Sequence, residues 1–553
     1  MLDDATLIVF FLCVFAVIVY FVPSITRSPS ILAKLHQNKK MQLGLTVAIF
    51  AFAFFLRLFA LDAVPPGLNQ DEATIGYDAW TIANYGMDRN QSVLPPYPVG
   101  MGVGNGTFYA YFAAPFIRLF GLNLFTYRLP NALLACFSCY CFFCISKRAR
   151  GVNFAILSLA IYAVTPVLVT NARFAVDYTT QISLITIAIY LFIETVERKR
   201  SWLFAVTGAL LAWFTGSYGS MIIIIPLFLV FSSLYAIITK SMGRKHFFIL
   251  CIAYAIFSIP LICVLLVNFF NVPPFKLFGI FSIDQFSTNY ADGKFHKLDG
   301  SFIKEVFGSI KKLFDLTIKQ KDVAPIDAYI PQYGLTHYFT IPLILLGIIL
   351  SFKNFRKIKE YKPETIICIS WLSSTIFALL TNTTIQRLLT LFPIYVYFIA
   401  LAIRFIYHRV HIIMPVLIII FAIHTTTFTH YYFKEYKQDM GNFFFYSLGD
   451  AIQFATAQTD NEICVTRTNS NVPEYIVLFY SKVPPQTFSS TVKYHDPNVP
   501  FRHIQSVSRF TFGIPPEKNP DTVYIIANSE IDQFDRSLFY IKQFQNYSVA
   551  YPR

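Results

Sequence analysis

Charged residues are scarce in this chain of 553 amino acids: Asp, Glu, Lys and Arg make up 14% of it, against about a quarter in ordinary soluble domains. Hydrophobic residues make up 55%, and they are arranged in successive runs of near twenty residues. This composition excludes a disordered chain, a collagen-like repeat and a small disulfide scaffold. It predicts a polytopic α-helical membrane protein.

Cysteines are nearly absent from the polar parts of the chain. Eight of the nine lie in apolar runs and only Cys464 lies in a polar region, so no disulfide pair is expected outside the membrane. The run Cys136, Cys139, Cys141 and Cys144 matches a metal-site pattern by composition. On a helix, however, these side chains point in different directions, and we interpret them as packing residues.

Motifs for common cofactors are also missing. The sequence has no Walker loop, no Gly-rich dinucleotide fingerprint and no zinc-protease motif. His296 and His337 lie near acidic residues, but without the spacing of a metal-ligand pair. We therefore predict no particular cofactor; a divalent metal is allowed but not indicated.

The net charge of +14 does not indicate a nucleic-acid partner, because the basic residues cluster in short links between apolar runs. This placement is typical of cytoplasmic loops, which retain Lys and Arg. The basic links are 27–40, 147–150, 198–200, 240–245, 353–362 and 404–409.

The apolar runs predict about twelve membrane spans, each near the length that a hydrocarbon core of about 30 Å requires. With the basic loops inside, both chain termini lie outside. The predicted spans are 5–23, 41–60, 127–146, 152–170, 176–194, 202–217, 219–238, 247–268, 338–352, 364–381, 386–405 and 411–429.

Two domains are expected. Residues 1–430 form the membrane domain, with outer loops at 61–126 and 269–337 that carry short amphipathic helices. Residues 431–553 have soluble composition and form a small extracytoplasmic α/β or α+β domain. Within it we predict a helix at 443–458 and strands at 462–466, 475–480 and 522–527.

Ionisable residues gather at the outer ends of the spans, whereas the middle thirds of most spans contain none. A transporter would place polar groups in mid-membrane, so this distribution favours a cavity that faces outward. The six residues at this level are Asp71, Glu72, Arg128, Arg173, Asp177 and Arg387.

The segment from Asn69 to Trp80 carries the sharpest local pattern. Asn69 can cap a helix, Glu72 three residues later completes a capping box, and Gly86 can end the helix. The acidic residues can therefore serve the helix dipole alone. Their position at the membrane surface also suits the binding of an acceptor near lipid head groups.

Two further segments carry arginine. Arg173 and Asp177 are i,i+4 neighbours that could form a local ion pair or line the cavity. Arg387 opens the eleventh span, where a cation is unfavourable to the helix dipole and needs an anionic partner. That partner can be a phosphate or a neighbouring carboxylate.

These segments, taken in order over about 41–405, resemble the GT-C glycosyltransferases that use polyprenyl-phosphate-linked sugars. The protein O-mannosyltransferases and the bacterial lipid A aminoarabinose transferases are the branches most similar to it. The matching residues are Pro65 to Ala73 with Gly76, Ala79 and Gly86; Tyr109 to Tyr111; Ala114 to Phe116; Leu119 to Gly121; Tyr127 to Ala132; Ala172 to Phe174 with Asp177; and Gln386 to Leu388 with Pro393.

The resemblance implies roles for these residues. Asp71 would be the catalytic carboxylate, Glu72 its neighbour in the donor or acceptor site, and Asp177 a second acid of the cavity. Arg387 or Arg173 would meet the donor phosphate, and Arg128 and Tyr77 complete the candidate binding residues. Two departures from the family pattern are Thr74, where the aminoarabinose branch has Arg, and 103–107, where a Pro-rich segment is usual.

The expected activity is transfer of a hexosyl or pentosyl group, with inversion, to a lipid, glycan or protein acceptor on the outer face, in contact with membrane lipids. Asp71 would remove the acceptor proton. The alternatives are a glycan ligase or polymerase with a lipid-diphosphate donor, which sensitivity to chelators would indicate, and a non-enzymatic transporter or scaffold.

Overall fold

The computed structural model describes residues 39–100, 103–104, 106–286, 295–296, 299–320, 329–355, 360–382, 384–410, 413–496 and 502–553. The first predicted span, 5–23, lies outside these residues.

Helices make up most of the described membrane part. They are α1 (Lys39–Leu58), α2 (Gln70–Tyr85), α3 (Thr107–Phe120), α4 (Leu124–Arg150), α5 (Val152–Val164), α6 (Pro166–Thr170), α7 (Gln181–Arg198), α8 (Ser201–Thr215), α9 (Met221–Ile238), α10 (Arg244–Phe269), α11 (Phe302–Ile318), α12 (Ile341–Phe355), α13 (Pro363–Leu380), α14 (Phe392–Tyr407) and α15 (Ile413–Lys434). Three 3₁₀ turns, Asp177–Thr180, Ile385–Arg387 and Leu389–Leu391, lie next to α7 and α14.

The predicted spans agree with these helices. Among the described residues, eight helical segments are long and apolar enough to cross a membrane, and three shorter apolar ones, Val152–Val164, Ser201–Thr215 and Tyr338–Phe352, accompany them. Each of the eleven overlaps one predicted span. The chain is therefore a polytopic helical membrane protein, as its composition predicts.

The two segments predicted as outer loops, 61–126 and 269–337, contain short helices, as expected. The first holds α2, the β1–β2 pair (Val99–Gly100 and Val103–Gly104) and α3. The second holds the hairpin β3–β4 (Phe275–Leu277 and Phe281–Ile283) and the amphipathic helix α11. One face of α11 exposes the apolar row Ile303, Phe307, Ile310 and Phe314.

The C-terminal part is built on one mixed sheet. Its seven strands lie in the order β10-β11-β9-β5-β8-β7-β6, and β5 is parallel to both of its neighbours. The elements are α16 (Tyr436–Asp439), α17 (Leu448–Gln458), β5 (Ile463–Val465), α18 (Pro473–Ser481), α19 (Pro485–Thr491), β6 (Lys493–Tyr494), β7 (Ile504–Val507), β8 (Phe510–Phe512), β9 (Val523–Ala527), β10 (Phe539–Gln543) and β11 (Tyr547–Pro552).

The strand predicted at 475–480 is wrong, because this run forms the helix α18. A short apolar run does not distinguish a strand from a buried helix by periodicity. Here Pro473 at the first helical turn and Glu474 beside it favour the helix start. The predictions at 462–466 and 522–527 are confirmed by β5 and β9.

The helix α18 joins the C-terminal sheet to the first outer loop. It packs on α2, and the Tyr77 hydroxyl donates a hydrogen bond to the Val483 carbonyl (2.5 Å) just beyond α18. The largest cluster of buried apolar residues is continuous from α1 to β11. This packing fixes the position of α2, and with it the residues at its N-terminus.

Candidate active site

The N-terminus of α2 has the predicted capping box. The Asn69 side chain accepts a hydrogen bond from the Asp71 amide (2.8 Å), and the Glu72 carboxylate accepts one from the Asn69 amide (3.2 Å). Gly86, with φ of 67°, ends the helix as predicted. Consecutive helical residues point about 100° apart, so the two acids face different surroundings.

Glu72 faces the protein interior and forms a bidentate ion pair with Arg128, which belongs to α4. Arg128 Nε and Nη2 donate to the two carboxylate oxygens at 2.9 and 2.7 Å, and both side chains are fully buried. The Ala175 amide donates to the same carboxylate (2.9 Å). The other Arg128 bonds, 2.8–3.0 Å long, go to the carbonyls of Leu61, Pro65 and Gly67.

All five N–H groups of Arg128 therefore donate to protein atoms, and none remains for a ligand phosphate. These contacts differ from the expected ones, in which Arg128 would bind the donor and Glu72 would contact the donor or the acceptor. The pair ties the start of α2 to α4 and to the segment around Ala175. Asp71 lies at the same helix start, next to Glu72.

Arg173 is also fully buried, and it contacts the end of the first described span instead of Asp177. Its Nη atoms donate to the carbonyls of Leu56, Phe59, Ala60 and Val64 at 2.5–3.1 Å. Its guanidinium carbon lies 4.8 Å from the centre of the Phe433 ring. Carbonyls at a helix C-terminus attract cations, so Arg173 caps α1 and joins it to α15.

Asp177 lies in a 3₁₀ turn before α7 and accepts a hydrogen bond from the Gly106 amide. The backbone at Gly106 packs closely on the segment around Ser217, and a Cβ atom at position 106 would lie 2.1 Å from the Ser217 carbonyl oxygen. Only glycine fits there. The second carboxylate oxygen of Asp177, Oδ1, is buried without a hydrogen-bond partner in the described part of the chain.

Tyr218 interacts electrostatically with three charged residues of the site. Arg387 is within hydrogen-bonding reach of its hydroxyl, and Asp177 and Asp71 are close enough to act on its charge. Burial is the main cause that raises the pKa of Tyr218 to about 12. Tyr218 could not be selected from the sequence, since a tyrosine in a turn of small residues has no distinguishing pattern.

Gln181 connects the segments that carry these side chains. Its amide nitrogen donates to the Gln386 carbonyl (2.9 Å), next to Arg387, and its amide oxygen accepts from Ser220, two residues after Tyr218. The turn of Asp177 and the turn of Arg387 also contact each other. Residues far apart in the sequence are thus held together at one end of the helix bundle.

Asp71 faces the same region, and its carboxylate is accessible to solvent. Protein nevertheless surrounds it, and this burial, followed by the charge of Glu72, raises the pKa of Asp71 to about 6. Arg387 is half-buried and donates to the Asn382 carbonyl. The arrangement combines an exposed carboxylate with a second acid, a phenol and a guanidinium.

Tyr77 lies apart from this group, between α2 and the C-terminal domain. Its ring is fully buried, stacks on Trp80, and lies 5.4 Å from the guanidinium carbon of Arg89. In this position Tyr77 supports domain packing, which differs from its expected contact with the donor. Arg89 forms a buried bidentate pair with Asp78 that the sequence analysis missed.

The two histidines lie in different parts of the structure. His296 contacts Glu305 (3.0 Å) and Ser309 (2.8 Å), whereas His337 is buried beside His424, with ring centres 5.7 Å apart. Within the described ranges, no three side chains of His, Cys, Asp or Glu gather closely enough to hold a metal ion.

Comparisons with known proteins agree with this architecture. The family model described as dolichyl-phosphate-mannose-protein mannosyltransferase matches residues 105–265. The structure of ArnT from Cupriavidus metallidurans bound to undecaprenyl phosphate is 12% identical, covers 93% of this chain and 98% of its own, and has a TM-score of 0.56. The structure of ArnT from the same organism in the apo state is also 12% identical, covers 92% of this chain and 97% of its own, and has a TM-score of 0.53.

No curated protein sequence matches the chain. The structural likeness extends over nearly the whole length of both chains and confirms the predicted GT-C fold. The family match confirms the expected enzyme class, a glycosyltransferase.

Proposed function

We propose that this membrane glycosyltransferase of the GT-C fold transfers one sugar from a polyprenyl-phosphate carrier to an acceptor hydroxyl, with inversion and with Asp71 as the base. The observation that carries the proposal is the convergence of Asp71, Asp177 and Arg387 around Tyr218. They are supplied by three separate chain segments, and each group has a chemical part in the reaction.

Arg387 suits the leaving phosphate of the donor. Its guanidinium is permanently charged and half-buried, and it lies beside a tyrosine hydroxyl that can donate a second hydrogen bond. A cation placed there neutralises the charge that develops as the sugar–phosphate bond breaks. The likeness to ArnT, which was solved with undecaprenyl phosphate, supports a lipid phosphate as the carrier.

Arg173 was the other candidate for this contact, and its four carbonyl partners favour a role in packing. We therefore propose Arg387 as the donor contact. Asp177 keeps one carboxylate oxygen that can accept a hydrogen bond from a sugar hydroxyl.

Asp71 suits the acceptor. With its pKa near 6, the carboxylate is ionised at neutral pH and basic enough to take a proton from a reacting hydroxyl. The acceptor oxygen would bond to the anomeric carbon as its proton passes to Asp71. The bond to the phosphate oxygen breaks at the same time, and the polyprenyl phosphate leaves with the electron pair.

Arg387→Ala is expected to weaken binding of undecaprenyl phosphate about tenfold to a hundredfold, which corresponds to ~1.5–3 kcal/mol for a hydrogen bond to a charged group. Arg387→Lys keeps the charge but loses the planar fork, so its loss should be smaller. The measurement is lipid affinity of the purified protein. The control is Arg118→Ala, which removes an exposed arginine bonded to Asn84. Equal affinity in all variants would leave Arg387 a structural role only.

We propose that the site faces away from the cytoplasm. Arg128 lies near the N-terminal end of α4, and Asp177 lies just before the N-terminal end of α7. The basic residues of these helices, among them Lys147, Arg148 and Arg198, lie at the C-terminal ends. Basic ends stay in the cytoplasm, so the opposite ends are outside.

Protease added to intact right-side-out cells is therefore expected to cleave within 431–553. The basic link 240–245, at the other end of the helices, should be cut only after permeabilisation and serves as the control. Cleavage of the link alone in intact cells would reverse the proposed orientation.

A further inference from the structure

A cavity of about 290 Å³ lies between the first and second outer loops and the C-terminal domain, separate from the group around Tyr218. Its size is at the lower end of the range of small-ligand pockets. Five of its lining residues carry the argument: Arg89, Asp284, Tyr475, Phe488 and Tyr494.

Two residues that line this cavity, Arg89 and Asp284, each carry a polar atom without a protein partner. Arg89 is 3% exposed and is held by Asp78 (2.8 and 2.9 Å) and by the Thr74 carbonyl (2.6 Å), which leaves its third nitrogen, Nη1, buried without a hydrogen-bond partner. Oδ2 of Asp284 is likewise buried without a partner among the residues described. Buried polar groups normally have partners, so this pair indicates a ligand.

The two atoms differ in kind, and this restricts the ligand. Arg89 offers a charge-assisted donor and Asp284 an acceptor. A simple anion can accept from the guanidinium of Arg89 but offers no donor to the carboxylate of Asp284. Hydroxyl groups satisfy both, because each can accept from the guanidinium and donate to the carboxylate.

The remaining walls are aromatic. Tyr475, Phe488 and Tyr494 line the cavity, and the guanidinium carbon of Arg89 lies 5.0 Å from the centre of the Tyr475 ring. The C–H face of a pyranose ring packs on an aromatic surface while its edge makes hydrogen bonds. We propose that this cavity binds a saccharide unit.

Its position relative to Asp71 suggests what the saccharide is. Asp78, which holds Arg89, follows Asp71 by seven residues on α2, so the two lie on the same helix face about 10 Å apart. A short oligosaccharide spans that distance. The cavity is then a subsite for an inner sugar of a glycan acceptor whose reacting hydroxyl lies at Asp71; this role, unlike saccharide binding itself, rests on the proposed function.

The test measures binding of three tagged trisaccharides, maltotriose, chitotriose and trigalacturonate, to the detergent-solubilised full-length protein. We expect at least one to bind saturably, and Asp284→Asn and Tyr494→Ala each to weaken it tenfold or more. Tyr540→Ala is the matched control, since Tyr540 is exposed on β10, at the opposite edge of the same sheet from Tyr494 on β6.

Absence of saturable binding for all three saccharides, or binding by both variants equal to that of the wild type, would overturn the assignment. Affinity for undecaprenyl phosphate is measured in parallel and should not change in these variants. A wild-type protein that does not bind undecaprenyl phosphate would count against the proposed donor. Saccharide binding that depends on Asp284 and Tyr494 would still support the cavity as a saccharide site.

Discussion

Asp71→Asn is expected to lower the rate of sugar transfer by a factor of about 10²–10⁴, the contribution typical of a general base. An amide of the same shape cannot accept the proton of the acceptor hydroxyl at neutral pH. The fold should not suffer, because burial raises the pKa of Asp71 to about 6 and so disfavours its charged form in the folded protein. Removing that charge should leave the melting temperature at pH 7 unchanged or slightly higher.

The measurement is transfer from a defined polyprenyl-phosphate sugar, with the melting temperature recorded alongside. Asp62→Asn, an exposed acid of the same loop, is the control and should keep full activity. The wild-type rate should rise as the pH increases through about 6, since the base is the ionised form, and the residual rate of Asp71→Asn should lack this rise. A folded Asp71→Asn protein with most of its activity would reject Asp71 as the base.

Glu72→Gln is expected to lower the free energy of unfolding by about 3–5 kcal/mol, because it leaves Arg128 as a buried charge without its counter-ion. An amide also cannot accept both guanidinium bonds that the carboxylate accepts. The change should appear as a large fall in the melting temperature of the purified protein.

The control for this variant is Asp315→Asn, which breaks a mostly exposed ion pair with Lys319 and should cost at most about 1 kcal/mol. Lipid-phosphate affinity is measured at a temperature where the Glu72→Gln protein is still folded. A protein as stable as the wild type that has lost this affinity would show instead that Glu72 contacts the donor.

The membrane helices could be predicted from the sequence because hydropathy acts locally and each span has a length fixed by the bilayer. The capping box of α2 was also predictable, since Asn69, Glu72 and Gly86 interact within one helix. The partner of Glu72 was not. Arg128 lies 56 positions away, and no spacing rule joins a helix start to an arginine in another helix.

In the candidate site, too, local features could be predicted from the sequence and contacts between distant segments could not. Asp71, Asp177 and Arg387 could be selected because charges at the outer ends of spans are costly and stand out in an apolar sequence. Tyr218 could not be selected, and neither could the separation of Arg128 and Arg173 from Arg387. Which arginine donates to carbonyls and which remains near the acids depends on tertiary packing.

The helix start at Asn69 has a consequence for evolution. Asp71 and Glu72 are neighbours in sequence, but one faces solvent and the other is enclosed with Arg128. In a family alignment the two acids would look like one invariant signature, although different pressures would preserve them. A lineage that lost the reaction could lose Asp71 while it retained Glu72 and Arg128 together. A relative without the activity would then be recognised by the Glu72–Arg128 pair without Asp71 beside it.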